Sequence, residues 1–282
     1  MTAGADVSSQ PVLLDRLEGG VLTLTLNRPE RLNALNAALI EALSAGIERA
    51  RTDPECRAVL ITGAGRGFCA GADLANRAFA PGDVRPDLGQ ALEQGLNPII
   101  RAIRNLPKPV VAAVNGPAAG AGANIGLACD IVLAAKSAQF LQAFARIGLI
   151  PDAGGTFVLP RLVGDARARG LMMLAEPVAA KRAEAIGMIY RAVDDEDLMG
   201  EARTIAERLA AAPTQALGLI KRALAASPTN TLDAQLDLER DLQREAGRSD
   251  DYVEGVRAFL EKRPANFGRK PPEAPSGSRN GR

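Results

Sequence analysis

Apolar and polar positions alternate through residues 21–27, "VLTLTLN", as in a strand with one buried face. "NRPERLNAL" then turns the chain. Residues 33–51 carry Leu35, Leu39, Leu43 and Ile47 at helical spacing and predict an amphipathic helix. "CRAVLITG" (56–63) predicts a second strand, "KPVVAAVNG" a third and "IVLAA" (131–135) a fourth. Helices through "LEQGLNPIIRAIRNL" and "AAGAGANIGLACD" separate them. Alternating strands and helices imply parallel pairing with right-handed crossovers. After residue 160 the helical period takes over. "ARARGLMML", "AAKRAEAIGM", "LMGEARTIAERLAAA", "QALGLIKRALAA", "TLDAQLDLERDLQREA" and "DDYVEGVRAFLEKR" read as helices, with "IYRAV" a short strand among them. Residues 76–89, with two prolines and two glycines, predict a mobile loop, and the Pro-, Gly-, Ser- and Arg-rich tail is expected to be disordered over 269–282. The primary sequence shows no internal repeat.

Composition removes whole classes of chemistry. With no histidine among 282 residues, a Ser-His-Asp triad, a Cys-His pair and a His-based metal site are all excluded. Cys56, Cys69 and Cys129 lie far apart with no CxxC pair, which points to reduced thiols rather than zinc or disulfides. A net charge of +1 gives no reason to expect nucleic acid or an anionic membrane as partner. The N-terminus lacks a secretory pattern and no apolar run is long enough to span a bilayer, so a cytoplasmic location is expected.

Three stretches can carry chemistry. In "GRGFCAGADL" (65–74), glycines and small residues let backbone approach a ligand; an ordinary tight loop reads the same way. In "VNGPAAGAGANIGLACD" (114–130) a strand runs through glycines into a helix, whose free amides and positive dipole end suit a developing oxyanion. Gly120–Gly126 gives GxGxxxG rather than the dinucleotide GxGxxG, and Asp130 precedes the next strand instead of ending it, so no nicotinamide or flavin is expected. In "GLIPDAGGT" (148–156), Asp152 fits two roles alike: the N-cap of a helix through "AGGTFVLPRLVG", or a proton-transferring acid.

Together with "GVRAFLEKRPANF", these blocks stand in the order found in the crotonase, or enoyl-CoA hydratase/isomerase, superfamily, which the chain resembles over residues 12–268. The resemblance implies an α/β fold: a ββα spiral core over residues 1–200, with the acyl-CoA site, and a C-terminal helical trimerisation region over 201–268. It implies an acyl-CoA substrate, no separate cofactor, no metal and a homotrimer or dimer of trimers. The thioester oxygen would sit between the amides of Ala72 and Ala121, with Ala70, Asp73 and Leu74 beside the ligand. Arg31 would meet the nucleotide end, and Phe259 and Lys262 would reach CoA from a neighbouring subunit.

The family's hydratases carry two glutamates, and here those positions hold Asn124 and Phe144. Neither replaces a general base, so hydration is disfavoured. Asn124 is expected to orient a bound group, and Phe144 and Ile150 to form an apolar wall. Asp152 matches the position where members with other activities place an acid. The "GLIPDAGGT" region, the "AAGAGA" run and residues 236–263 resemble most the members that rearrange an aromatic ring epoxide, or shift a 3,4 double bond to 2,3, on a CoA thioester. A hydratase or hydrolase with an atypical base, and a catalytically silent binding protein, are the alternatives.

Overall fold

The computed structural model describes residues 10–74 and 85–268. A hairpin opens it: β1 (Leu13–Glu18) and β2 (Val21–Leu26) pair antiparallel across Gly19–Gly20. Only β2 was expected. The sequence of β1, "LLDRLE", lacks clean alternation because it is an edge strand with most of its residues exposed. The chain continues through α1 (Ala37–Thr52), β3 (Ala58–Gly63), α2 (Leu88–Ala91), a π-helical turn (Leu92–Leu96) and α3 (Asn97–Asn105). Next come β4 (Val110–Val114), β5 (Ala118–Ala119), α4 (Ala121–Ala128), β6 (Ile131–Ala135) and β7 (Gln139–Leu141). A 3-10 turn (Ala143–Ile147) leads to α5 (Gly155–Val163), α6 (Asp165–Leu174), β8 (Val178–Ala179), α7 (Ala180–Ala185) and β9 (Arg191–Val193). Four helices end it: α8 (Leu198–Ala210), α9 (Thr214–Ala226), α10 (Leu232–Ala246) and α11 (Asp250–Leu260).

The main sheet runs β1-β2-β3-β4-β6-β9, parallel from β2 onward, as the alternating pattern predicts. Its central strands are buried along their length, so β4 reads "VVAAV" with no polar position. Leu39, Leu43 and Ile47 of α1 and Ile99 and Ile103 of α3 join the core. So do Leu198, Ala202, Ala206 and Ala210 of α8, which packs against β2, β3, β4 and β6; the helical cover of this sheet therefore continues past residue 200.

A repeat invisible in the sequence emerges from a second, smaller layer. β2 is followed by Leu35, which bridges Ala72; β3 by Cys69, which bridges Ala118 of β5; β4 by β5; and β6 by β7, which pairs with β5 and β8. Each of β2, β3, β4 and β6 thus gives a short second strand and then a helix, four times over. These second strands span one to three residues, too short for any hydrophobic period. The same shortness explains two misplaced boundaries. The helix predicted from residue 33 starts at Ala37, capped by the Asn36 side chain on the Leu39 amide. The one predicted from residue 118 starts at Ala121, because Ala118–Ala119 is strand and Gly120 (φ 52) breaks the chain direction.

Asp130, which argued against a dinucleotide site, has a structural role. Its carboxylate accepts from the Val110 amide at 2.8 Å and pairs with Lys221 of α9 at 2.8 Å, while burial pushes its pKa up. Arg57 donates to the carbonyls of Ala212 and Phe267 and so holds residues before 269 in place. The tail over 269–282 and most of the predicted 76–89 loop lie outside the described residues; the last two residues of that loop, 88 and 89, open α2. Among the described residues no helix is long and apolar enough to cross a membrane.

Candidate active site

The site is built where the second layer meets the start of α4. After β3 the chain turns through Gly63–Gly67 and comes forward as an arm, residues 68–73. Asn33 sets that turn. It is fully buried, sits at φ 57, and its amide donates to Ala64 O (3.0 Å) and Gly67 O (2.8 Å) while its oxygen accepts from the Arg28 amide (2.8 Å). Arg28 in turn pairs with Asp73 at 2.9 Å and donates to the Ala34 carbonyl. Asp73, expected beside the ligand, is thereby tied to the protein.

Leu35 then fixes which way the arm's amides face. Its N–H donates to Gly71 O (2.7 Å), and its carbonyl accepts from Asp73 N (3.0 Å). The C=O of Gly71 and the N–H of Ala72 belong to one trans peptide and point opposite ways, so the N–H of Ala72 points away from Leu35. The second donor, the N–H of Ala121, is the first of α4 and has no carbonyl four residues back to meet. Among the described residues no acceptor meets either N–H.

The two segments touch. Ala119 N donates to Cys69 O at 2.9 Å, and a methyl built on Gly71 would lie 3.6 Å from Ala121 N. A methyl on Gly122 would lie 2.3 Å from Cys69 O, so only glycine permits this approach. Ala72 is exposed and Ala121 is 2% exposed, which leaves one amide at the surface and one inside.

Asn124 lies one turn beyond Ala121 on the same face of α4, about 4.5 Å along its axis. Its side chain is 1% exposed, donates to the backbone carbonyl of Asp152 at 2.8 Å and accepts from Gln142 Nε2 at 2.8 Å. Asn124 was expected to orient a bound group; in the single chain one N–H and one lone pair of its amide are engaged by Asp152 and Gln142. α5 begins at Gly155, with Gly154 (φ 75) in the cap position. The cap role for Asp152 therefore falls away: the Gly155 amide meets its backbone carbonyl, at 2.9 Å. A methyl on Gly155 would strike Asn124 Nδ2 at 2.4 Å, so both glycines of "DAGGT" serve this corner.

Phe144 is buried, and a methyl on Gly120 would lie 3.6 Å from its ring, which puts it beside the residue that leads into Ala121. Ile150 does not join the expected apolar wall. The 3-10 turn ends at Gly148 (φ 72), the chain leaves the core there, and Ile150 is 81% exposed. Ala70 is half-buried on the arm, and Leu74 at its end is 46% exposed. Arg31 is exposed on a 3-10 turn (Pro29–Arg31), and Phe259 and Lys262 are exposed at the end of α11. Among the described residues no hydrogen bond or ion pair joins these last three to Ala72, Ala121 or Asp152. Asn33, Arg28 and Gln142 had no signal in the sequence: each is a lone polar residue whose partners, apart from near neighbours, lie 18 to 45 residues away.

Cys69 beside the arm is no nucleophile. It is fully buried, its sulfur donates to Asn33 O at 3.2 Å, and burial pushes its thiol up to about 12. Burial also raises Cys56 and Cys129. The native protein should release no stoichiometric burst with an aromatic disulfide reagent at pH 8, and all three thiols on denaturation; a full equivalent reacting at once in the folded state contradicts the burial argument.

The comparisons with known proteins agree with this geometry. The enoyl-CoA hydratase/isomerase family profile matches residues 16–270. The chain is 54% identical over 255 residues to 1,2-epoxyphenylacetyl-CoA isomerase of Escherichia coli K12, covering 90% of this chain and 97% of that one. It is 51% identical over 248 residues to a Rhodobacter capsulatus protein assigned as an enoyl-CoA hydratase, covering 88% and 94%. The crystal structure of enoyl-CoA hydratase from Bacillus anthracis superposes with a TM-score of 0.86 at 32% identity, covering 92% of this chain and all of that one. A spiral of four ββα turns and a family match over nine-tenths of its length make this chain a member of the enoyl-CoA hydratase/isomerase family.

Proposed function

We propose that this protein is an acyl-CoA isomerase that converts 1,2-epoxyphenylacetyl-CoA to its oxepin isomer and moves a 3,4 double bond of an enoyl-CoA to the 2,3 position. The observation that carries this reading is the corner itself: Asp152 is held against α4 by Asn124, in a site whose two hydratase glutamate positions are Asn124 and Phe144. The nearby acid on the arm, Asp73, pairs with Arg28.

In the double-bond shift, the thioester oxygen accepts from the N–H groups of Ala72 and Ala121. Each such donor contributes about 2.7–4 kcal/mol when charge develops on the oxygen. Asp152 as carboxylate takes a proton from C2; the electron pair delocalises through the thioester and the double bond; the same carboxyl returns the proton at C4. Product and substrate have the same atoms, so one carboxyl suffices and no water is consumed. Phe144 beside Gly120 keeps water from the dienolate. The epoxide-to-oxepin conversion is likewise an isomerisation, and the same thioester polarisation serves it.

The chain is also inferred to work as a homotrimer or dimer of trimers. Support comes from α10 and α11, where Leu232, Leu236, Tyr252, Val253, Phe259 and Leu260 are all more than half exposed, as apolar residues that meet a neighbouring subunit would be. Arg31, Phe259 and Lys262 would then bind the CoA portion, the last two across the subunit boundary.

The second reading, hydration, is favoured by the Rhodobacter capsulatus relative's assignment. A panel of CoA esters separates the two. A 3-enoyl-CoA and the ring epoxide should be turned over, while crotonyl-CoA should accumulate no 3-hydroxybutyryl-CoA on the same time scale. Rapid hydration of crotonyl-CoA, with the 3-enoyl ester untouched, would falsify the isomerase assignment.

A further inference from the structure

We propose that Gln142 is a positioning residue for the reaction: through Asn124 it sets where Asp152 stands relative to the Ala121 amide. The proposal rests on the isomerase reading of the same corner. Its basis is a relay with a direction imposed by chemistry. The carbonyl of Asp152 can only accept, so Asn124 must present Nδ2 to it, at 2.8 Å. Asn124 Oδ1 then faces away and needs a donor, and Gln142 supplies Nε2, at 2.8 Å. Both amides are therefore locked in one orientation.

The lock leaves a mark. Gln142 is 3% exposed, and its Oε1 has no hydrogen-bond partner among the described residues. A buried acceptor left open is costly, and turning the Gln142 amide over would set two oxygens against each other at Asn124. The molecule keeps the orientation that serves Asp152. Functional sites are where such local costs are retained.

The place of Gln142 in the fold gives the relay its use. It directly follows β7, and Leu141, the last residue of β7, accepts the Gly120 amide at 2.8 Å. Gly120 leads into Ala121. The oxyanion donor is thus fixed by Gly120–Leu141 and the acid by Asn124–Gln142, both against the end of one strand. A carboxyl that takes a proton at one carbon and returns it at another must hold its distance from the polarised carbonyl to within about an ångström, and such errors cost up to roughly a hundredfold in rate. Asn124 and Gln142, 1% and 3% exposed, act on substrate only through Asp152.

The test is a double-mutant cycle on Gln142→Met and Asn124→Leu, each close in volume to the residue replaced. Rates would be read on a 3-enoyl-CoA, together with α-deuterium exchange into a saturated acyl-CoA in D2O, which reports proton abstraction alone. Gln142→Met should lower kcat and the exchange rate by about tenfold with KM within about twofold, and should add less than about twofold in the Asn124→Leu background. Thermal midpoints and CoA-ester dissociation constants identify a variant that has simply lost its fold. In that case Gln142→Glu, which keeps the shape but as carboxylate cannot donate to Asn124, supplies the same comparison. Unchanged kcat and exchange in a folded Gln142 variant overturn the relay, as do fully additive effects, or a rise in KM at constant kcat. A wild-type protein that neither isomerises nor exchanges overturns the isomerase reading itself and the relay with it.

Discussion

Asp152→Asn should lower isomerase turnover by about 10²–10⁴, the usual worth of a positioned general acid–base, while leaving CoA-ester affinity and the melting temperature nearly unchanged. Asn124 and Gly155 both bind the backbone carbonyl of Asp152, and the cap of α5 is Gly154, so these backbone contacts survive in asparagine. What disappears is the ability to take up and release a proton, since an amide has no such function near neutral pH. The measurements are kcat on a 3-enoyl-CoA, and calorimetric binding of a saturated acyl-CoA, which needs the amides of Ala72 and Ala121 but no base. Near-normal turnover would remove Asp152 from the mechanism. A lost fold would mean that its carboxylate, not its carbonyl, holds the corner.

This outcome bears on how the site was legible at all. From residues alone, Asp152 fitted a cap and a catalyst alike, because both roles favour an acid just before a helix. The cap reading ended when the helix start was located at Gly155, two residues beyond the expected one, which moved the cap to Gly154. The glycine-rich stretches were readable because close approach demands glycine whatever its source: Gly71 and Gly122 sit where the arm touches α4. Apart from the edge strand β1, the main-sheet strands were readable as apolar runs between turn residues, and the C-terminal helices because each is long enough to show its period. The second layer was not, since a bridge such as Leu35–Ala72 or Cys69–Ala118 has no period to show. For the same reason the four-fold ββα repeat, obvious in the pairing, left no trace in the sequence.

The polar residues that hold the site were the least visible. Asn33, Arg28 and Gln142 belong to types usually found at the surface, and nothing nearby in sequence explains their burial. Their partners meet them only after the chain has gone once around the spiral: Arg28 reaches Asp73, Asn33 reaches Gly67, Gln142 reaches back to Asn124. Chemistry carried by backbone and by long-range amide pairs is specified by topology. It becomes readable when the fold is known.

Gly122→Ala tests that backbone chemistry most directly. The added methyl would stand 2.3 Å from Cys69 O, 2.6 Å from Cys69 Sγ and 2.7 Å from Cys69 Cβ, separations no real pair of atoms tolerates. Neither side can yield cheaply. α4 is held by Asn124 to Asp152, and Cys69 O already accepts from Ala119 N at 2.9 Å. The arm and the helix must part by roughly 1 Å, with an overpacking cost of about 1–3 kcal/mol and a melting temperature lower by a few degrees. The larger effect falls on catalysis. Ala72 rides on the arm and Ala121 on the helix, so parting them takes at least one N–H out of reach of the oxyanion. A lost donor of this kind costs about 10²–10³ in kcat. Unlike Asp152→Asn, this variant should also lose affinity for acyl-CoA, because the same amides hold the ground-state carbonyl. Adding Cys69→Ala removes the sulfur contact but leaves the carbonyl 2.3 Å away, so activity should recover only slightly. Full recovery in the double variant would show that the clash is with the thiol alone, and that the separation of Ala72 and Ala121 does not limit the rate.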